Sequence, residues 1–368
     1  FGEGGAGTFS DGKLYSQVSE PAHYQRKVLE ELVAAGANPE ILTHAHPHIG
    51  TFKLATVVRG LRSRIEALGG TIRFEARVVD LRLHATSRRL EAVQLASGEW
   101  LEAAQMVLAP GHSARDVFAL LHRHGVAMEA KPFAMGVRVE HPQALIDRAR
   151  WGAAAGHPRL GAAEYKLVHH CQGEGLAGRS VWSFCMCPGG LVVGAASESG
   201  GVVTNGMSQH SRNERNANSA LVVNIELDDL TPYGTSDQDP LAGVAFQRHW
   251  EARAFALAGG SYAAPSQSVA SFLKSATAEP GLVPASYQPG VVDCDLEQTL
   301  PTFVTAALRE AIPRFERTIA GYAGQGARLT AVETRTSSPV RICRNNTTLE
   351  CINTPGLFPA GEGAGYAG

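Results

Sequence analysis

Apolar residues recur at helical spacing in two early stretches. Val28, Leu29, Leu32 and Val33 fall on one stripe of residues 22–35, and Gly36 ends it. Leu54, Val57, Val58, Leu61, Ile65 and Leu68 repeat in the same way from about Thr51 to Leu68, where Gly69-Gly70 stops the helix. The pattern then shortens. Thr71–Ala76, Arg77–His84 and Leu90–Leu95 read as strands, and Ser97-Gly98 turns the chain toward Gln105–Ala109. Met106 to Ala109 are continuously apolar and run into Pro110-Gly111. A helix is predicted directly after them, with Ser113 as N-cap and Asp116 three residues on. Strand, glycine turn and capped helix together offer helix-terminal N–H groups to a bound anion.

After Lys131-Pro132 the texture changes. Tyr165–His170, Val181–Met186, Leu191–Ala195 and Leu221–Leu227 read as strands between Gly- and Asn-rich turns. Residues 239–275 and 299–320 read as helical. Residues 327–334 and 338–343 return to strand, and Leu357-Phe358 leads into a terminal glycine run. The expected fold class is α/β: one layered unit interrupted by a large α+β insert. The expected division is 1–130 with 327–368, and 131–326 between them.

Composition narrows the function. The 368 residues carry 33 Lys+Arg against 35 Asp+Glu, a net charge of −2. That near-balance excludes a general binder of nucleic acid or anionic membrane. At 44% hydrophobic residues there is material for one large core or two smaller ones. No run approaches 18 uncharged apolar residues, so no transmembrane helix is expected. The six cysteines form no C-x-x-C, and reduced thiols in a cytoplasmic protein are the expectation. Cys185-Met186-Cys187 would share a strand face as buried cysteines do, with a redox or metal pair as the rarer reading. His44, His46 and His48 would share a face in a strand and suit a metal, but Pro47 and Gly50 argue for a loop.

The 40 glycines are clustered. Five lie between Gly2 and Gly12, where backbone N–H groups can crowd against phosphates and Ser10 and Lys13 can add donors. The plainer alternative is a flexible loop. A second cluster, Gly361-Glu362-Gly363-Ala364-Gly365, follows an apolar strand. There a carboxylate can accept from a ribose or ribityl hydroxyl while N–H groups face a pyrophosphate, or the segment is a turn without a ligand. Arg335 and Arg341 flank Thr336-Ser337-Ser338-Pro339-Val340. Two guanidinium groups grip a carboxylate or phosphate, or stabilise an anionic reduced flavin. The structural alternative pairs an arginine with Glu333.

These two loops, with Glu333–Arg341, His48-Ile49-Gly50-Thr51, Ala109–Ser113, Ser183–Gly190 and Asn216–Leu221, resemble a family of bacterial FAD-dependent dehydrogenases. That family is related to the glutathione-reductase-type and aminoacetone-oxidase-like flavoproteins. The resemblance runs from end to end and implies a Rossmann-like FAD/NAD(P)-binding domain, incomplete here, interrupted by the insert. It implies that Gly4, Gly5, Ala6, Gly7, Ser10, Asp11 and Lys13 lie along the pyrophosphate and flavin. Val78 or Val79 would meet the adenine through its backbone. Ala109, Pro110, Gly111 and His112, with Ser338 and Pro339, would lie close to the cofactor. Gly361, Glu362, Gly363, Ala364 and Gly365 would sit at the ribityl chain. Phe1 and Gly368 both fall within glycine runs, so the stretch is expected to be internal to a longer chain. That chain would supply the missing G-x-G-x-x-G βαβ and the helix after Gly368, and tight FAD binding is expected of it.

The leading expectation is an FAD-dependent oxidoreductase acting on a small, anionic substrate, with Arg335 and Arg341 as the catalytic candidates. No second G-x-G-x-x-G follows a strand in the insert, so NAD(P)H has no dedicated site in the sequence. The rival readings are a non-catalytic flavoprotein serving partner or RNA recognition, and a His-ligated metalloenzyme.

Overall fold

The computed structural model describes residues 3–5, 12, 14, 24–44, 47–235, 238–274, 283–324 and 326–366. The first unit is helical: α1 (Tyr24–Ala34) and α2 (Thr51–Ala67) pack around Ile41, Ile49, Leu54 and Val57. Leu68, at the end of the predicted stripe, is exposed. The predicted strand at 71–76 is absent. The ladder starts with β1 (Val78–Leu83) and β2 (Leu90–Leu95), followed by a short β3 (Trp100–Glu102) that the sequence pattern missed. β4 (Met106–Leu108) leads to α3 (Arg115–Arg123) and β5 (Met128–Ala130).

The chain then forms β6 (Phe133–Pro142), a ten-residue strand buried along almost its whole length. It continues through α4 (Gln143–Trp151), β7 (Val168–His170), β8 (Ser180–Cys187), the hairpin β9 (Gly190–Gly194) and β10 (Thr204–Ser208), and β11 (Asn216–Ile225). Then come α5 (Leu227–Leu230), α6 (Ala242–Leu257), β12 (Ala264–Ser268), α7 (Val269–Phe272), β13 (Val291–Asp293), α8 (Thr302–Glu316) and β14 (Arg328–Glu333). The expected helix over 239–275 is thus broken, because Gly259 and Gly260 take positive φ and the chain re-enters the sheet as β12. β15 (Val340–Ile342) and β16 (Leu357–Pro359) close the chain.

One seven-stranded sheet dominates, in the order β13-β12-β14-β6-β11-β8-β7, with only β12–β13 parallel. β14 lies inside it, so this sheet takes in strands from both sides of position 326. Odd positions of β6, Met135, Val137 and Val139, join Ala307, Leu308 and Ala311 of α8 in the main core. Even positions carry Arg138 and Glu140 toward the β9–β10 side. A separate core joins Leu81, Leu90, Val93 and Leu121 to Ile342, Leu357 and Ala364, which ties the two ends of the chain into one unit. At Cys185 (φ +46) a bulge sets two residues of β8 against one of β11. That breaks the simple alternation expected of Cys185 and Cys187: Cys187 is buried and Cys185 is half-buried. No helix among the described residues is long and apolar enough to cross a membrane.

Candidate active site

β4 and β16 lie side by side and run in the same direction, Leu357 opposite Met106 and Pro359 opposite Leu108. Both therefore end at one edge, and ligands bind beyond the carboxyl ends of such strands in open α/β sheets. The loops that leave there each start with a left-handed glycine, Gly111 (φ +77) and Gly361 (φ +74). Nothing stands within 4 Å of where a Cβ would be on either one, so both loops show open backbone. Gly363 is different: a Cβ there would overlap the backbone of Gly111, so glycine is what lets the two loops touch. A Cβ on Gly365 would stand 2.8 Å from the Val340 carbonyl oxygen.

A third loop joins them. The Ser338 N–H donates to Glu362 Oε1 at 2.7 Å, and Ser338 Oγ donates to the Val340 carbonyl at 2.8 Å. Burial pushes the Glu362 carboxyl above its ordinary pKa, against the Ser338 N–H and Lys131, which pull it down. One carboxylate oxygen is thus committed to holding loops together.

A cleft of about 730 Å³ opens beside this junction, lined by His112 and Ser113 on one side and by Asn205, Tyr287, Glu333 and Arg335 on the other. Buried ion pairs form its floor. Arg138 meets Glu333 through two hydrogen bonds of 2.8 and 2.9 Å, and Arg138 also donates to Asn218, Asn205 and the Cys185 carbonyl. Glu333, the partner expected for an arginine of the 335–341 motif, is thereby taken by Arg138. Arg335 instead reaches Glu251 of α6 at 2.9 and 3.1 Å. Arg115 grips the same Glu251 at 2.7 and 2.9 Å and Glu198 at 2.6 Å, and Arg248 reaches Glu198 at 2.6 Å. Three guanidinium groups against two carboxylates leave this cluster with one net positive charge.

The charges set each other's state. Burial alone would raise Glu251, but Arg115 and Arg335 win and hold it below the ordinary carboxylate range. Arg248 and then Arg115 pull Glu198 down to about 2 against its burial. Burial, reinforced by Arg335 and Arg115, presses His112 down to about 4, so it meets the cleft as a neutral imidazole. Its Nδ1 lies 3.0 Å from Ser113 Oγ, which accepts from Arg335 Nη1 at 3.0 Å. This use of Ser113 replaces the predicted cap: α3 starts after Ala114, with no side-chain capping bond. Asp116 pairs with Arg77 instead.

Of the residues expected at the site, Ala109, Pro110, Gly111, His112, Ser338, Pro339 and Gly361 to Gly365 come together at the three-loop junction. Pro339 is buried against Gly243 of α6. Val78 and Val79 lie in β1, where a register shift leaves Val79 outside the regular pairing with β2. Gly4 and Gly5 are half-buried in the opening turn, and neighbouring Glu3 pairs with Arg62. Ala6, Gly7, Ser10, Asp11 and Lys13 lie outside the described residues, as does His46. His48 makes an isolated β-bridge outside the named strands, with its ring stacked on His210 at 5.3 Å. The two arginines are separated. Arg335 lines the cleft, whereas Arg341 is partly exposed, paired with Glu129 across β15 and β5 and lying over the Tyr366 ring.

Sequence reasoning missed Arg115, Glu198, Glu251 and the Arg138–Glu333 pair. A signal existed for Glu251: Val244, Gln247, Glu251 and Ala254 form one helical stripe, and all are buried. A charged residue on such a stripe must find a partner.

Comparison with known proteins accords with this geometry. The family model for the FAD-dependent protein, C-terminal domain-like, matches residues 132–336. Its upper limit includes β14. An uncharacterised protein of Clostridium beijerinckii (strain ATCC 51743 / NCIMB 8052) is 47% identical over 369 residues, spanning 100% of this chain and 67% of the relative. Among solved structures, BrvH, a flavin-dependent halogenase from Brevundimonas sp. BAL3, aligns with 57% of this chain and 38% of its own. That alignment has 16% identity and a TM-score of 0.26, too low to carry any argument. The chain belongs to the family of FAD-dependent proteins that this C-terminal domain defines.

Proposed function

We propose that the full-length protein is an FAD-dependent oxidoreductase whose flavin and small anionic substrate meet in the cleft beside His112. The observation that carries this reading is the joining of two open-glycine loops at the ends of parallel strands to a cleft lined by the Arg335 guanidinium and His112. The junction fits FAD: Gly111 and Gly361 leave backbone free for a close approach, and Glu362 keeps one oxygen free of the Ser338 bond to accept from a ribityl hydroxyl. Bound there, the flavin would supply the redox chemistry, and the protein supplies orientation and electrostatics.

The chain's own residues have definite tasks in this reading. Arg335 presents a guanidinium whose position is fixed by Glu251 and Ser113, so little side-chain freedom is lost when an anion binds. His112 adds a neutral imidazole, able to hydrogen-bond without adding charge. Ser197, which also takes a hydrogen bond from Arg335, closes the far side.

The test is an absorption spectrum of the purified full-length protein, taken before and after anaerobic addition of small hydroxy- or amino-carboxylates, phosphorylated alcohols and NAD(P)H, each of which has a hydride to give. Flavin bands that bleach with one of these reductants are expected. Flavin bands that none of them bleaches would instead favour a non-catalytic flavoprotein.

A further inference from the structure

At the edge of the large sheet farthest from β13, β7 continues beyond His170, since the Cys171 N–H still donates to the Arg179 carbonyl at 2.9 Å. His169 and Cys171, two residues apart, therefore share one face of the strand. Helix α8 covers that face and lowers Glu310 onto it. His169 Nε2 lies 2.8 Å from Glu310 Oε1, and the donor atoms of His169, Cys171 and Glu310 all fall within 4.8 Å of one another. Cys171 is buried, and the other two side chains are each about one-fifth exposed.

We propose that His169, Cys171 and Glu310 form a site for a zinc-type divalent cation, separate from the flavin cleft. The donor set is one imidazole nitrogen, one sulfur and one carboxylate oxygen. Zinc takes this mixture with three protein ligands and an open fourth position. A tetrahedral centre with bonds of about 2.0–2.3 Å sets its donors roughly 3.3–3.8 Å apart, so the wider spacings need close by only about 1 Å while His169 and Glu310, now 2.8 Å apart, part by about 0.5 Å to admit the ion.

The carboxylate is already aimed. The Gln172 and Gly173 N–H groups donate to its two oxygens at 2.8 and 2.9 Å, the kind of outer support that orients a ligating carboxylate. A Cβ at position 173 would stand 2.8 Å from Glu310 Oε2, so glycine there makes room for it. Without a metal, burial and then Glu310 push the Cys171 thiol up to about 11. Binding a cation therefore releases the thiol proton to solvent as the sulfur–metal bond forms. His169 turns its Nε2 lone pair to the metal and carries its proton on Nδ1. No other group of three such donors occurs among the described residues.

The experiment strips full-length protein with a chelator and titrates it with Zn²⁺ alone, then with Co²⁺ followed by difference spectra. One equivalent of either ion is expected, with a thiolate-to-cobalt charge-transfer band in the near ultraviolet. Cys171→Ser should abolish the band, and His169→Gln should weaken zinc by more than the roughly 10–100-fold that a merely supporting residue costs. Retained FAD and an unchanged melting temperature in the metal-free variants show that they remain folded. Absence of the band in the wild type at one equivalent overturns the site whatever the variants do. Zinc binding unaltered by Cys171→Ser overturns it equally.

Discussion

Glu362 shows how one side chain serves two ends. Its Oε1 takes the Ser338 N–H, so it ties two loops together before any ligand arrives. Replacing it with Ala should lower stability by about 0.5–1.5 kcal/mol through the lost hydrogen bond, measured by urea unfolding without FAD. The same change should weaken FAD by roughly 10–150-fold, the equivalent of about 1.5–3 kcal/mol for a charge-assisted contact. Glu362→Gln separates the effects. The folded state raises the Glu362 pKa, so the group's stabilising contribution is present at low pH and is lost as pH rises past its ordinary range. Gln keeps an acceptor without the desolvated charge and should melt no lower than the wild type at pH 7. An unchanged FAD dissociation constant in Glu362→Ala would remove the cofactor role.

His112 was legible in the sequence as part of a loop motif, but its charge state was not. That state follows first from burial and then from Arg335 and Arg115, and both depend on parts of the chain that no local motif records. The His112 ring should stay neutral from pH 8 down to about pH 5, as read by NMR chemical shifts. A titration near its ordinary value of 6.5 would contradict both its burial and the action of the two arginines on it.

At the scale of elements, the start of α3, the middle of α6 and the end of β14 are pinned together through Glu251. Glu251→Gln leaves Arg115 and Arg335 buried with too little negative charge and should cost about 3 kcal/mol, at the lower end for a broken buried pair. Urea unfolding at pH 7 measures it. Acid should act on the same joint. Glu251 and Glu198 have depressed pKa values, so their contribution is full above about pH 4.5 and is lost as pH falls, for Glu198 toward about 2. The urea midpoint should therefore fall between pH 5 and pH 3, and fall less steeply in Glu198→Gln.

Elements with one buried face were the legible ones: β2 matches the apolar spacing, and α2 matches it in its first half, where Leu54 and Val57 are buried, while Ile65 and Leu68 are exposed. β6 escaped because both of its faces are covered and Arg138, Glu140 and His141 interrupt its apolar run. Those polar residues pair with partners from other parts of the chain, which no local pattern records. The predicted Ser113 cap failed for a related reason. Arg335, more than two hundred residues away, holds the hydroxyl in the cleft.

For the whole molecule, the change of texture near residue 131 coincides with the start of β6 and of the matched family model. The cleft was not readable, because it needs the 109–113 loop, the β9–β10 region and the end of β14 to come together. The same assembly sorts the two candidate arginines. Arg341 pairs with Glu129 outside the cleft lining, so Arg341→Ala should change flavin reduction less than about twofold, a difference of about 0.4 kcal/mol.

The most direct measurement of the central claim is stopped-flow reduction of the FAD-loaded full-length protein by an anionic reductant, comparing wild type, Arg341→Ala and Arg335→Gln. Arg335→Gln should retain FAD and be reduced roughly 10–150-fold more slowly, the rate equivalent of one charge-assisted contact of about 1.5–3 kcal/mol. Arg341→Ala should keep the wild-type rate. Reduction of Arg335→Gln at the wild-type rate would contradict the placement of substrate and flavin in this cleft.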